Sequence, residues 1–476
     1  MHVRLGSLKH RQKLQRLRNQ IEGISSVADT SISLSPYETI AVYMPPWQPA
    51  AATITSTTYR SITTVTITST IWRSVATATI TSTTRRSIAT TTTTSTARPS
   101  IATTTTTTST TYRSVATAST SNSPAKRNYT NSVYYPDWAC NIQPPTELPV
   151  ANLTHIFYAF VGLNSDGSIY LTEPDPAGKT GSAYLSSQKC LTALRDMRDK
   201  YKPELKLLVS VGGGSGSTNF TTVASDYNKR TKFEEELKDL LDQYSFDGVD
   251  IDWESPTGVN EGIYYLQLLS SLRLNFPAST YTLTATYTGT LWALGAIDIP
   301  ECIFNVDLFN IMAYDYYGPW NRTSGYHGQL YSPTKGGDSG SDAVSYCLQN
   351  STVPSEKLVL GIPLYAQGFP GVDGPDMTWS SSAMSVDGIQ VQYNDLAIGP
   401  SGAEVYYDTT LVGASIYNGS DGIWYTFDNE QSVKTKASFV KTKDLGGLFF
   451  WQGTGDLLGS RASLINAAAS VLGITS

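Results

Sequence analysis

The chain has 476 residues, a formal net charge of −6, 40% hydrophobic residues and 11% aromatic ones. This balance offers no basic face to nucleic acid, and no run reaches the roughly 18 apolar residues of a membrane-crossing helix. An uncharged polymer is compatible with this balance, as are many small molecules, and the length calls for one large domain with an appendage or for two domains.

Residues 1–53 open with the basic segment MHVRLGSLKHRQKLQRLRNQIE, which reads as helical and has no apolar stretch of the kind a secretion leader carries. From 54 to 127 the composition turns to Thr, Ser and Ala, and a unit near ITSTxxRSIATTT recurs with Ser61, Ser74, Ser87 and Ser100 thirteen residues apart. Each unit has too few large apolar side chains to bury a core. The segment therefore reads either as a disordered tail or as an O-glycosylated stalk. Lys126-Arg127 at its end resembles a dibasic processing site.

From 128 to 476 short apolar runs alternate with longer helical stretches, the pattern of a mostly parallel sheet. Strands are expected at 132–135, 155–160, 205–211, 246–252, 281–286, 308–313, 358–363 and 447–451. Eight such strands predict an α/β fold, a closed (β/α)8 TIM barrel. The interval between the seventh and eighth holds more than a helix, so a small α+β insertion is placed at about 365–430, with strand-like pieces at 404–407 and 422–427 before a helical run at 431–443. A doubly wound sheet is the rival fold. Its Gly-rich loop belongs after the first strand, whereas Gly212, Gly213, Gly214 and Gly216 follow the third and lack an acidic partner for a ribose.

Sequons at Asn128, Asn152, Asn219, Asn321, Asn350 and Asn418 point to export, outside the cell or into its wall. Cys140, Cys190, Cys302 and Cys347 have no zinc spacing and allow one or two disulfides, with three full pairings open. No metal and no cofactor is expected.

The chemistry centres on Phe246-Asp247-Gly248-Val249-Asp250-Ile251-Asp252-Trp253-Glu254. Strand parity puts Asp250, Asp252 and Glu254 on one face, which in a barrel points inward, and Val249, Ile251 and Trp253 on the other. Three carboxylates in one core-facing strip cannot all ionise freely, so they must share protons or hydrogen bonds. Asp252, hydrogen-bonded to Glu254 on one side or Asp250 on the other, can keep the terminal Glu protonated near neutral pH, as an acid catalyst requires. Glu254 lies nearest the C-terminal end, where barrel enzymes hold their chemistry. Asp247 has the wrong parity and reads as structural, and Gly248 as a close-packing position. His327 stands in a loop without a Ser or Cys partner, so a Ser-His-Asp hydrolase is not expected.

DGVDIDWE resembles the DxxDxDxE signature of glycoside hydrolase family 18, the chitinase family. Other stretches agree in order: SVYYPDW with the family's first strand, LTHIFYAF with its second, Ser210-Val211-Gly212-Gly213 with SxGG, Met312-Ala313-Tyr314-Asp315 with MxYD, GIPLYAQGF with the seventh and GGLFFW with the eighth. The similarity runs from about 132 to 470. It implies a retaining, substrate-assisted endo-chitinase acting on chitin and chitooligosaccharides, expected as a monomer. The resemblance makes Glu254 the general acid and base, and has Asp252 hold the acetamido nitrogen while Asp250 buffers it. It also gives the acetamido oxygen to Tyr314 and the grip on the sugar to Asp315. Trp451 would floor the scissile sugar, with Tyr134, Trp138, Phe160, Trp320 and Tyr365 lining the cleft beside Gly213 and Met312.

Two positions depart from the family: Gly214 stands where an aromatic usually follows SxGG, and Ala366-Gln367 replaces Gly-Arg. A weaker grip on the glycone side is the expected result. An endo-β-N-acetylglucosaminidase acting on N-glycans, a catalytically weak chitin-binding lectin and a structural cell-surface glycoprotein are the alternatives. The insertion, raising one wall of a groove, favours a long linear polymer.

Overall fold

The computed structural model describes residues 128–172, 185–334, 336–349, 352–379, 389–398, 403–459 and 462–474, with four strand segments upstream. The chain divides into two compact units, Met1–Ser121 and Asn122–Ser476. In the first, Ala51–Thr58 pairs antiparallel with Ser61–Thr68, and Ala41–Val42 with Ala76–Thr77. The rest of the 1–53 segment and of the 54–127 repeats lies outside the described residues.

The second unit is a closed barrel. Its strands are β1 (Thr130–Pro136), β2 (His155–Leu163), β4 (Lys206–Gly212), β5 (Gly248–Asp252), β6 (Thr282–Thr288), β7 (Leu308–Met312), β8 (Leu358–Pro363) and β14 (Gly447–Trp451). Each pairs in parallel with the next, and β14 closes onto β1. A short strand not expected from the sequence, β3 (Ile169–Leu171), folds back antiparallel on β2. Register between β2 and β4 slips at Phe160, a bulge at the mouth of the barrel.

The strand residues sort by parity. Val249, Ile251 and Trp253 join the core shared with the surrounding helices, while Tyr134, Phe157, Leu208, Tyr314, Tyr365 and Phe449 pack together in a second cluster inside the barrel. Those helices begin where short polar side chains can accept from exposed backbone N–H groups: Ser186 caps α1 (Ser187–Tyr201), Asp226 caps α2 (Tyr227–Tyr244) and Asn429 forms a capping box on α6 (Glu430–Thr442). Between α2 and α6 lie α3 (Val259–Asn275), α4 (Ile299–Asn305) and α5 (Gly340–Leu348), and α7 (Leu464–Leu472) follows the last strand.

Asp247, at the foot of β5, takes the structural part its parity suggests. It accepts from the backbone of Leu207 at 2.9 Å and pairs with Arg198 at 3.1 Å and Lys206 at 2.9 Å. Gly248 is held by space: a Cβ there would lie 1.8 Å from the Thr282 carbonyl.

The insertion is a five-stranded antiparallel sheet in the order β10-β9-β13-β12-β11. Its strands are β9 (Tyr365–Pro370), β10 (Ile389–Gln392), β11 (Tyr406–Asp408), β12 (Gly413–Asn418) and β13 (Ile423–Phe427). Only Leu364 separates β8 from β9, so the barrel strand runs almost directly into the first strand of the insertion.

Cys140 is bonded to Cys190 across 50 residues, while Cys302 and Cys347 are buried free thiols. A closed loop of that size contributes on the order of 4 kcal/mol by restricting the unfolded chain. Replacing both Cys140 and Cys190 with Ala is expected to lower the unfolding free energy by about 3–4 kcal/mol in urea titration. A midpoint unchanged from the wild type would show that the bridge is dispensable.

Candidate active site

The site forms where β5 leaves the barrel. Asp250 is wholly buried and satisfied by hydroxyls from the adjacent strands β4 and β6 and from β1 elsewhere round the barrel. Tyr134 on β1 donates at 2.8 Å and Ser210 on β4 at 2.7 Å, while Thr284 and Thr286 on β6 donate at 2.6 and 3.0 Å. Burial raises its pKa above the ordinary carboxylate range even though these donors oppose the shift.

Two residues on, Asp252 is almost as deeply buried but has no such cradle. Its Oδ1 has no hydrogen-bond partner among the described residues, and no side-chain bond joins it to Asp250 or Glu254. The hydrogen-bonded relay expected from the sequence is thus replaced by charge coupling through space. Loss of water, then the neighbouring Glu254 and Asp250 charges, push the Asp252 pKa well above the ordinary carboxylate range.

Glu254 stands past the strand end and is open to the cleft, with protein close around it on its other sides. That enclosure, followed by the negative charge of Asp315, pushes its pKa up to about 7. Ser217 fixes the backbone here: its hydroxyl accepts from the Glu254 N–H at 2.9 Å and donates to the Asp252 carbonyl at 3.3 Å. Trp253, on the opposite face, stacks on Phe220 at 5.2 Å, and Tyr287 donates to the Pro256 carbonyl at 2.9 Å, so the turn after Glu254 is tied down from both sides.

Tyr314 and Asp315 follow β7. Burial, then the charges of Asp252 and Glu254, hold the Tyr314 phenol far above its usual pKa, so it remains a neutral donor. Asp315 adopts a left-handed backbone, φ 60°. Burial alone would raise its pKa, but His327 and then Gln367 outweigh that and hold it below the ordinary range. Gln367 Nε2 donates to Asp315 Oδ1 at 2.9 Å, and His327 Nδ1 lies 3.4 Å from the same oxygen. Gln367 at the departing position therefore partners Asp315 within the protein.

The aromatic side chains singled out in the sequence lie in contact with one another, except for Trp320. Half-buried Trp451 stacks with Phe160 at 5.6 Å and 23°, and meets Tyr134 and the exposed Trp138 edge-on at 5.5 and 6.3 Å. Tyr365 packs on Tyr314 at 6.2 Å, and Met312 sits against the same inner cluster. Gly213 faces Phe160 so closely that a Cβ would lie 2.5 Å from its ring. Trp320 makes no ring contact with the others among the described residues; 59% exposed, it lies over Gly318 in the loop after β7. At Gly214 a Cβ would meet only Glu254 Oε2, at 3.8 Å, so the flank beside the acid is open.

Ser217, His327 and Gln367 escape the sequence reading as site residues. Each acts on a partner that only folding brings close, Gln367 across 52 positions. Among the described residues no group of three His, Cys, Asp or Glu side chains converges as a metal site.

This geometry agrees with known proteins. Residues 130–456 match Glycosyl hydrolases family 18. Chitinase 1 of Aphanocladium album is 29% identical, over 72% of this chain and 86% of its own. An endochitinase of Brugia malayi is 30% identical, over 68% of each chain. Among solved structures, the class V chitinase of Nicotiana tobaccum, a mutant in complex with NAG4, superposes with a TM-score of 0.63 at 27% identity, covering 73% of this chain and 99% of its own. A chitinase of Cycas revoluta in complex with (GlcNAc)3 gives 0.61 at 27% identity, over 71% and 98%. The chain is a glycoside hydrolase and belongs to glycosyl hydrolase family 18.

Proposed function

We propose that this chain is an endo-acting chitinase that cleaves β-1,4 bonds between N-acetylglucosamine units with retention of configuration. The observation that carries the reading is Glu254, open to the cleft with a pKa near 7, above a buried Asp252 whose Oδ1 is unpartnered. The relatives named as chitinases and the neighbours bound to N-acetylglucosamine oligomers support the substrate.

In this mechanism Glu254 gives its proton to the glycosidic oxygen as the C1–O bond breaks, and the acetamido oxygen of the same sugar attacks C1 to form an oxazolinium ion. No protein carboxylate is needed as nucleophile. Asp252 holds the acetamido N–H, Asp250 tunes Asp252, and the neutral Tyr314 hydroxyl donates to the acetamido oxygen. Asp315 grips the ring and favours its distortion. Glu254, now ionised, takes a proton from water, which attacks C1 from the face of the departed sugar. Trp451, with Phe160, Tyr134 and Trp138, presents ring faces and edges to the C–H side of the pyranoses. The insertion carrying Tyr365 and Gln367 walls one side of the groove. The Cys140–Cys190 bridge and the sequons support export.

Glu254→Gln is expected to cut kcat on a chitin tetramer by about 10²–10⁴-fold. The wild type should release dimer with the β-anomer first, as seen by NMR of early products. An α-anomer would refute the retaining route, and no cleavage of the tetramer beside cleavage of an N-glycan core would redirect the reading to an endo-β-N-acetylglucosaminidase.

The pH profile follows from the two charges. Glu254 must be protonated, so kcat/KM is expected to fall about tenfold per unit above a limb near pH 7. Asp315 must be ionised, so the acid limb should sit below the ordinary carboxylate range. Undiminished kcat/KM to pH 9 would remove Glu254 as the acid.

A further inference from the structure

Behind the insertion, Lys436 on α6 and Asp428 just before it form an ion pair at 2.5 Å, with side chains only 2% and 1% exposed. Ser432 donates to the other Asp428 oxygen at 2.5 Å. A pair this deep recovers little net stability, because both ions have lost their water; such pairs more often fix one arrangement over another. What this one fixes is the backbone of the loop after β7. Lys436 Nζ donates to the Gly328 carbonyl at 2.5 Å, and a Cβ at Gly328 would lie 2.9 Å from Asp428 Oδ2 and 3.2 Å from Pro363 Cγ.

The preceding residue is His327. Its carbonyl accepts from the Tyr316 N–H at 3.0 Å, immediately beyond Asp315. Its ring is fully buried, lies 5.1 Å from the Tyr365 ring and sets Nδ1 at 3.4 Å from Asp315 Oδ1, while Nε2 has no hydrogen-bond partner among the described residues. A buried imidazole so poorly satisfied is costly, and its one close polar neighbour is the carboxylate. The titratable and charged groups near this segment are Asp315 and Tyr365 at the ring, and Lys436 and Asp428 at the next residue.

We infer that His327 and the Lys436–Asp428 pair are positioning residues that hold Asp315 in place, so that helix α6 reaches the cleft through the Gly328 carbonyl. The inference rests on the sugar-gripping role of Asp315 proposed above. None of the three touches the reacting atoms.

The test uses the full chain labelled with ¹⁵N-histidine, whose four histidines permit assignment of His327 by loss of its signal in His327→Gln. Replacing Asp315 with Asn is expected to change the ¹⁵N shifts of the His327 ring, since Nδ1 faces that carboxylate at 3.4 Å. Asp428→Asn/Lys436→Gln, which keeps the shapes without the charges, should change them as well. So should Gly328→Ala, whose Cβ would press on Asp428 Oδ2 and Pro363 and displace the same backbone; it serves if the double variant does not fold. In turnover of the chitin tetramer, His327→Gln and the anchor variants should shift the acid limb of kcat/KM upward and leave the limb near pH 7 in place.

His327 ring shifts indifferent to Asp315→Asn overturn the coupling. Folded anchor variants with wild-type His327 shifts and acid limb overturn the relay from α6. Because the NMR reading needs no turnover, a wild-type chain that fails to cleave the tetramer would defeat the chitinase reading and leave this one to be decided by the ring shifts.

Discussion

The structure turns on one buried carboxylate. Asp250 sits inside the barrel with no access to water, where an unsatisfied charge would cost several kcal/mol. Hydroxyls of Tyr134, Ser210, Thr284 and Thr286 converge on it, each such bond contributing roughly 1.5–3 kcal/mol when the acceptor is charged. This demand explains why β1, β4 and β6 carry polar residues at inward positions that would otherwise favour aliphatic ones. Asn310 extends the network from β7 by donating to Thr286 at 3.1 Å.

From that point upward, the acids along β5 differ by what surrounds them. Asp247 at the foot meets two cations, Asp250 meets hydroxyls, Asp252 feels the charges of its carboxyl neighbours and leaves Oδ1 unpartnered among the described residues, and Glu254 meets the cleft. The ordering suits proton transfer, since the group with the fewest partners lies just beneath the one that reaches solvent. Asp315 completes the arrangement from β7, its charge raising the pKa of Glu254 while His327 and Gln367 keep that charge in place.

Much of this was legible in the sequence, for physical reasons. A period of two along DGVDIDWE sets which residues face the barrel interior, and all eight barrel strands fall within a few residues of their expected positions, because strands covered by helices read as continuous apolar runs. The insertion strands β10 and β12 were not legible: β10 is a four-residue edge strand, and β12, though paired on both sides, mixes Gly, Ser and Asn with its apolar residues. Disulfide pairing, a matter of distance in space, was equally hidden. The contacts of Ser217, His327 and Gln367 come from loop geometry and strand ends rather than from any periodic pattern. The bond from Gln367 to Asp315 has no sequence signal, because the two lie 52 positions apart.

The near-seamless passage from β8 through Leu364 into β9 bears on how such an enzyme can change over evolutionary time. The sheet from Tyr365 to Phe427 looks like a cassette in the chain, bounded by two barrel strands. Chemically it is not one, because its first strand supplies Tyr365 and Gln367 to the neighbourhood of Asp315, and the turn at its end supplies Asp428. Recombination at the sequence boundaries would therefore exchange part of the active site with the wall. Changes to this sheet and to the neighbourhood of Asp315 must here proceed together, and descendants that vary the insertion freely must do so in β11 and β12, the strands farthest from β9.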